Sequence, residues 1–201
     1  MIQSAGIALV VKSLLGTSPI SSLPYVLSLI SPFTFGQTTF AVNMVFVVFE
    51  LLMLRRDFPA VFWLQIPVTI LFGFCIDFFM NLFTIVPDAY ALKLLLCLLG
   101  TALVALGVAG QGIADVLMLA GEGAVYTFAH QFHIDFGKVK VGNDISLVIL
   151  AAIVSVLTMG TIEGIREGTL ISALLTGIIA RFYLRHLSRI NAHGRIYLSL
   201  H

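Results

Sequence analysis

Long apolar runs separated by short polar turns dominate this chain. Charge-free stretches cover 13–49, 58–76, 94–114 and 145–162. A membrane-spanning helix needs about 20 largely apolar residues, so the pattern has room for four or more spans. We therefore expect an all-α, polytopic transmembrane helical bundle that forms a single membrane domain over residues 1–201.

Glycines, prolines and charges divide the sequence into eight runs. They are Met1–Leu15, Ile20–Phe33, Gln37–Leu54, Ala60–Val86, Ala89–Ala109, Ile113–Phe132, Ile145–Met159 and Thr169–Leu184. A helix over the first run is about 22 Å long, shorter than a hydrocarbon core of about 30 Å, so it is either truncated or continues from sequence upstream. The second run contains two prolines, and we expect a re-entrant or half-membrane helix there. A polar loop is expected over His133–Asp144, between the sixth and seventh runs.

Two breaks interrupt apolar sequence at matching places. The first is Leu15-Gly16-Thr17-Ser18-Pro19, and the second is Ala109-Gly110-Gln111-Gly112. Glycine ends a helix, Ser18 is a good N-cap, and Pro19 suits the first helical position.

The two halves of the chain resemble each other in order. Gly6-Ile7-Ala8-Leu9-Val10 matches Gly100-Thr101-Ala102-Leu103-Val104 at an offset of 94, and the same offset carries Gly16 to Gly110. Phe35-Gly36 matches Phe136-Gly137 at an offset of 101, and Gly73 matches Gly177 at 104. We predict two tandem repeats, about 1–86 and 87–184, followed by a basic tail over 185–201.

If each repeat has three spans and one short helix that does not cross the membrane, the second repeat has the opposite orientation in the membrane to the first. Eight basic residues then lie on one side of the membrane and three on the other. Eight full spans would give seven and four instead. Both arrangements place the C-terminal tail in the cytoplasm. The short second run favours inversion, in a multi-pass protein of the bacterial plasma (inner) membrane.

Interrupted apolar segments at corresponding positions of two repeats indicate a binding site in transporters, because half-helix N-termini there present free N–H groups. We therefore expect the two breaks to face each other within the membrane. The predicted substrate-binding residues are Gly16, Thr17, Ser18, Ser21, Gly110, Gln111, Gly112 and Asp115, with Asp115 the strongest. Close helix packing at the glycines is the alternative interpretation.

Ionisable residues inside apolar runs are the second group of candidates, because charges in a membrane are costly and mark functional sites. Asp77, Glu122 and Arg181 are candidate coupling residues. The repeat offset places Asp77 opposite Arg181, which predicts an ion pair. Glu50 precedes Arg55-Arg56 by about one turn, which predicts an ion pair at the membrane interface.

Other functions find little support. The net charge of +1 gives no sign of nucleic-acid binding. Cys75 and Cys97 lie in apolar runs, where free cysteine acts as a small hydrophobe. His130, His133 and Asp135 lack a further ligand, so no metal is expected. No hydrolase, nucleotide or zinc-protease motif occurs, so we expect neither an enzyme nor a cofactor.

The chain resembles the YczE/YyaS/YitT family of bacterial integral membrane proteins, and the YczE-like branch in particular. The motifs that carry the resemblance are Gly6-x-Ala8-Leu9, Leu15-Gly16-Thr17-Ser18-Pro19, Gly73-x-x-x-Asp77-Phe78, Gly110-x-Gly112-x-x-Asp115-x-Leu117-Met118 and Gly168-Thr169 with Gly177. The turn over 163–169 is more charged than is usual in that family. The resemblance implies a membrane location and little about mechanism.

These observations predict a small secondary transporter or permease for a polar or anionic solute. The alternative is a non-transporting membrane component, such as a binding subunit or an accessory protein. The expected partners are the lipid bilayer and an unidentified small solute. A second copy of the chain, or a partner ATPase or enzyme, is a further possibility.

Overall fold

The computed structural model describes residues 1–55, 60–84, 86–114 and 118–190, and this part of the chain is all-α. The helices are α1 Ile2–Lys12, α2 Pro19–Ile30, α3 Phe35–Leu54, α4 Gln65–Leu82, α5 Tyr90–Ala114, α6 Ala120–Phe132, α7 Phe136–Met159 and α8 Glu167–Ile190. A short 3₁₀ helix, Ala60–Leu64, leads into α4. The predicted fold class is confirmed.

Four of the described helical segments are long and apolar enough to cross a membrane: Phe35–Leu54, Val61–Leu82, Tyr90–Gln111 and Phe136–Met159. The outer surface is apolar as well, with Leu157 80% and Leu174 71% exposed. So large an exposed apolar surface is favourable in contact with lipid and unfavourable in contact with water. The chain is therefore a membrane protein.

Helices α1 and α5 form the centre of the bundle and pack antiparallel at three glycines. A Cβ atom on Gly6 would lie 2.7 Å from the Gly100 carbonyl oxygen, and one on Gly107 would lie 2.6 Å from Gln3 Cβ. Backbones approach this closely only where side chains are absent, which is how small residues hold membrane helices together. This contact fixes the position of α1 against the middle of α5.

The remaining helices surround this central pair. Helix α4 packs on α1 and α8 packs on α5, while α2 packs on α7 and α3 packs on α6. The α3–α4 pair has its own glycine contact, because a Cβ on Gly73 would lie 2.7 Å from the Gly36 carbonyl oxygen. The matching glycine of α8, Gly177, faces open space.

The predicted boundaries are wrong at the second break and at the start of α7. Helix α5 continues through Gly110 to Ala114, so the second break begins later than expected. Helix α7 starts at Phe136, inside the expected polar loop, because the Asp135 side chain caps it by accepting a hydrogen bond from the Lys138 N–H at 3.1 Å. The first turns of this capped helix are polar, so their sequence resembles that of a loop.

The C-terminal tail was predicted to begin at residue 185. Helix α8 instead continues to Ile190, so the first part of the predicted tail is helical. Residues 191–201 lie outside the described part of the chain.

Candidate functional site

The first turn of α6 contacts three different parts of the bundle. A Cβ on Gly121 would lie 2.6 Å from Ile20 Cδ1 of α2. A Cβ on Gly123 would overlap Glu50 Oε1 of α3 and would lie 3.1 Å from Gln65 Nε2 of α4. The two glycines therefore allow α2, α3 and α4 to converge on one turn of backbone.

Glu50 and Gln65 lie beside Gly123, and Thr69, one turn from Gln65 on the same face of α4, completes a buried polar cluster. Their exposed fractions are 0%, 1% and 0%. The Gln65 side chain interacts with the Glu50 carboxyl, but the Glu50 oxygens, the Gln65 amide atoms and the Thr69 hydroxyl make no hydrogen bond of good geometry in the described part of the chain. A buried polar atom without a partner costs about 1–3 kcal/mol, and more if it is charged, so this cluster needs an explanation.

Sequence reasoning missed this cluster. Glu50 was predicted to form an interface ion pair with Arg55 and Arg56, but its carboxyl is fully buried and Arg55 is exposed. Arg56 lies outside the described residues. The sequence does contain a signal, because Gln65 and Thr69 are four residues apart on one apolar helix and so share a face.

Glu122 lies between the two glycines of this turn. Its side chain is 7% exposed and interacts electrostatically with Lys140 and Asp144 of α7. Lys140 Nζ forms an ion pair with Asp144 Oδ1 at 2.9 Å. Lys140 therefore interacts with two acidic side chains, Glu122 and Asp144.

The first break packs against the turn between α7 and α8. The Thr17 N–H donates to Thr169 Oγ1 at 3.2 Å, and Thr17 Oγ1 donates to the Gly164 carbonyl oxygen at 3.3 Å. Ser18 Oγ donates to Ser21 Oγ at 2.9 Å. The hydroxyls predicted to bind substrate are thus hydrogen-bonded within the protein.

Gly16 is required by its backbone and by its surroundings. Its φ of +116° lies in the region that L side chains rarely adopt. A Cβ there would overlap Thr169 Oγ1 and would lie 2.9 Å from the Arg166 nitrogen. This arrangement agrees with the packing alternative for the first break.

The residues of the second break lie along a cavity of about 540 Å³. Gly110 and Gln111 line it together with Gln3, Cys75 and Leu119, among others. Gln111 Nε2 donates to Gln3 Oε1 at 2.6 Å, and the Leu119 N–H donates to Gln111 Oε1 at 3.0 Å. Gln111 therefore joins α5 to the start of α1 and to the residue that precedes α6.

The two predicted breaks meet only in part. The helices that follow them touch, through Ile20 and Gly121. Gly16 follows the end of α1, whereas Gln111 contacts Gln3 at its start, so the break residues themselves lie at opposite ends of α1. Gly112 lies in α5, and Asp115 lies outside the described residues.

Asp77 has partners other than the predicted Arg181. Its Oδ2 accepts a hydrogen bond from Thr34 Oγ1 at 2.6 Å, and its Oδ1 accepts one from the Gly36 N–H at 2.7 Å. These contacts hold the first turn of α3 against α4. Arg181 is exposed on α8, so the expected ion pair is wrong.

The sequence comparison agrees with a membrane bundle of unassigned activity. Residues 1–185 match the family of unknown function DUF6198. No curated protein and no solved structure matches the chain. The chain belongs to the DUF6198 family.

Proposed function

We propose that the protein is a small secondary transporter or permease for a polar solute in the bacterial inner membrane. The observation that carries this proposal is the buried cluster of Glu50, Gln65 and Thr69, whose polar atoms make no hydrogen bond of good geometry among the described residues. Polar and ionisable groups inside a membrane bundle are costly and mark substrate or ion pathways. A cluster maintained for structure alone would have its hydrogen bonds satisfied.

An inverted repeat supplies the mechanism. Gly6 packs against Gly100, which is its partner in the sequence repeat. In the predicted repeat, α2 corresponds to α6 and α3 corresponds to α7. The contact of α2 with α7 therefore corresponds to the contact of α6 with α3, and both contacts occur. Rocking of one such half against the other gives alternating access to a site between them, and the first turn of α6 lies where both halves meet.

The ionisable residues around the first turn of α6 indicate which solutes this site would accept. Glu50 and Glu122 are two buried carboxyls, and the described cation nearby is Lys140, which Glu122 shares with Asp144. Like charges repel strongly where water is excluded. The proposal therefore favours a neutral polar or cationic solute over the anion that the sequence allowed.

A non-transporting membrane component is the second candidate. Gly177 of α8 faces open space, whereas its repeat partner Gly73 packs against Gly36. An exposed helix face of this kind accommodates a helix of a partner protein as well as lipid. The sequence resemblance to the YczE-like proteins is compatible with either candidate.

Flux in proteoliposomes tests the proposal. Purified protein would be screened with radiolabelled amino acids, amines, sugars and carboxylates, each against empty liposomes. Gly123→Ala should reduce uptake of the transported solute about tenfold, because the new methyl group overlaps Glu50 Oε1. Gly177→Ala is the matched control, since its methyl group would meet open space, and it should retain most of the uptake.

Two results would contradict the transporter. One is the absence of flux for every solute by a folded, reconstituted protein that copurifies with a stoichiometric ATPase or enzyme. The other is equal uptake by the Gly123→Ala variant and the wild type.

A further inference from the structure

We propose that Glu50, Gln65 and Thr69 form a binding site for a monovalent alkali cation, with Na⁺ as the first ion to test. The binding itself is independent of any transported solute. Its use as a coupling ion rests on the proposed function.

The three side chains come from two helices that pack together. Gln65 and Thr69 lie one turn apart on the same face of α4, and Glu50 lies in the last turns of α3. The α3–α4 contact brings these faces together, and Gly123 of α6 closes the remaining side. All three side chains are at most 1% exposed, so water from the surface does not reach them.

The oxygen atoms of the cluster set the class of ligand. Two carboxyl oxygens, one carboxamide oxygen and one hydroxyl oxygen make no hydrogen bond of good geometry in the described chain. Hard cations bind oxygen ligands of this kind. The Gln65 oxygen then faces the ion, and the Gln65 amide nitrogen donates to the Glu50 carboxyl. The oxygen and nitrogen of a glutamine amide have nearly the same shape, so either can be placed on the ion side.

The charge of the cluster sets the charge of the ion. Glu50 supplies at most one negative charge, and the described part of the chain contains no group of three or more His, Cys, Asp or Glu residues suited to a metal. Ca²⁺ and Mg²⁺ require more ligands or a stricter geometry than this cluster offers. A monovalent cation neutralises one carboxylate and leaves the buried site uncharged, which is the state that a membrane interior favours.

Gly123 allows the Glu50 carboxyl to lie directly against the backbone of α6. A methyl group at this position would overlap Glu50 Oε1 and would lie 3.1 Å from Gln65 Nε2. The Glu50 carboxyl would then have to turn away from the amide. Substitution by alanine should therefore weaken cation binding without changing any ligand.

Thermal unfolding of the detergent-purified protein tests the site. The melting temperature would be compared in NaCl and in N-methylglucamine chloride at equal ionic strength. Saturating Na⁺ should raise the Tm of the wild type by about 3 °C, because a ligand that binds only the folded state stabilises it. Thr69→Val, which removes one oxygen at nearly constant volume, should raise the half-saturating Na⁺ concentration about tenfold.

Glu50→Gln separates a binding role from a structural one. The variant should lose the Na⁺ shift, yet in Na⁺-free buffer it should unfold at or above the Tm of the wild type, because an unpaired buried charge has been removed. If the carboxyl had only a structural role, its replacement would instead lower the Tm by the same amount with and without Na⁺. Glu163→Gln, the same change at an exposed position in the α7–α8 turn, is the control and should keep the full Na⁺ shift.

Several outcomes overturn the inference. One is a wild-type Tm that is equal in Na⁺, K⁺, Li⁺ and N-methylglucamine. Another is a Glu50→Gln variant whose Tm still rises in Na⁺ as much as that of the wild type. Stability that follows pH and ignores these ions would assign the site to a proton. Solute uptake that is independent of alkali cations would remove the coupling role and leave the transporter, whereas Na⁺ binding without any flux would remove the transporter and leave the site.

Discussion

At the scale of single residues, the buried polar groups fall into two classes that the sequence does not separate. The Thr17 and Ser18 hydroxyls are hydrogen-bonded within the protein, whereas the Glu50 carboxyl interacts with Gln65 but makes no hydrogen bond of good geometry to a described residue. In the sequence, all three are polar residues near or within apolar runs. Only the tertiary contacts show which polar group has a partner. They favour Glu50 over the first break as the candidate site.

Asp77 belongs to the satisfied class, and its replacement tests that assignment. Asp77→Ala removes the acceptor for Thr34 Oγ1 and for the Gly36 N–H, so we expect a loss of about 1–2 kcal/mol of stability. Unfolding in mild detergent measures this loss. Asp88→Ala, in an exposed turn, should change stability by less than about 0.5 kcal/mol. Preserved stability together with abolished flux would instead support the coupling role predicted for Asp77.

At the scale of helices and turns, the sequence predicted which segments are helical and misplaced some of their ends. The first break was placed correctly because Gly16 has a positive φ, a local property that glycine signals. The second break was placed too early. Gly110 lies inside α5, and Gln111 is held there by bonds to Gln3 and Leu119, which are distant or later in the chain.

The paired glycines of the two breaks should therefore respond differently to the same substitution. Gly16→Ala should cost about 2 kcal/mol or more, because its φ is +116° and its Cβ would overlap Thr169 Oγ1. Gly110→Ala should be neutral or should stabilise by up to about 1 kcal/mol, because a helical methyl group there meets open space. Unfolding of the two variants side by side measures this difference. Equal destabilisation would mean that the two breaks are structurally equivalent.

At the scale of the whole molecule, composition alone was sufficient to predict an all-α membrane bundle. Helices must satisfy their own backbone in lipid, so long apolar runs leave few other folds. The arrangement of the helices depended on tertiary contacts that no run reveals, such as Gly6 against Gly100. The predicted sequence repeat matches these same two glycines, although their contact does not by itself establish a repeat.

The two helix-connecting segments that follow α3 and α7 should face opposite sides of the membrane. Residues at the α7–α8 turn bond to the end of α1, since the Gly168 N–H donates to the Leu15 carbonyl oxygen at 2.8 Å. The α3–α4 connection leads into Gln65, beside the first turn of α6, and the residue before α6 is tied through Gln111 to Gln3 at the start of α1. Helix α1 therefore separates the two connections, as inverted repeats require.

Cysteine labelling in sealed vesicles of known orientation tests this arrangement. Val61→Cys and Ile162→Cys place thiols at positions that are 45% and 56% exposed, one in each connection. A membrane-impermeant maleimide added outside should label one of them and reach the other only after the vesicles are opened. The wild type should stay unlabelled, because Cys75 and Cys97 are buried at 6% and 0% exposure. Labelling of both variants from the same side would exclude the inverted arrangement, and with it the rocking mechanism, while leaving the cation site of Glu50 to be judged by its own test.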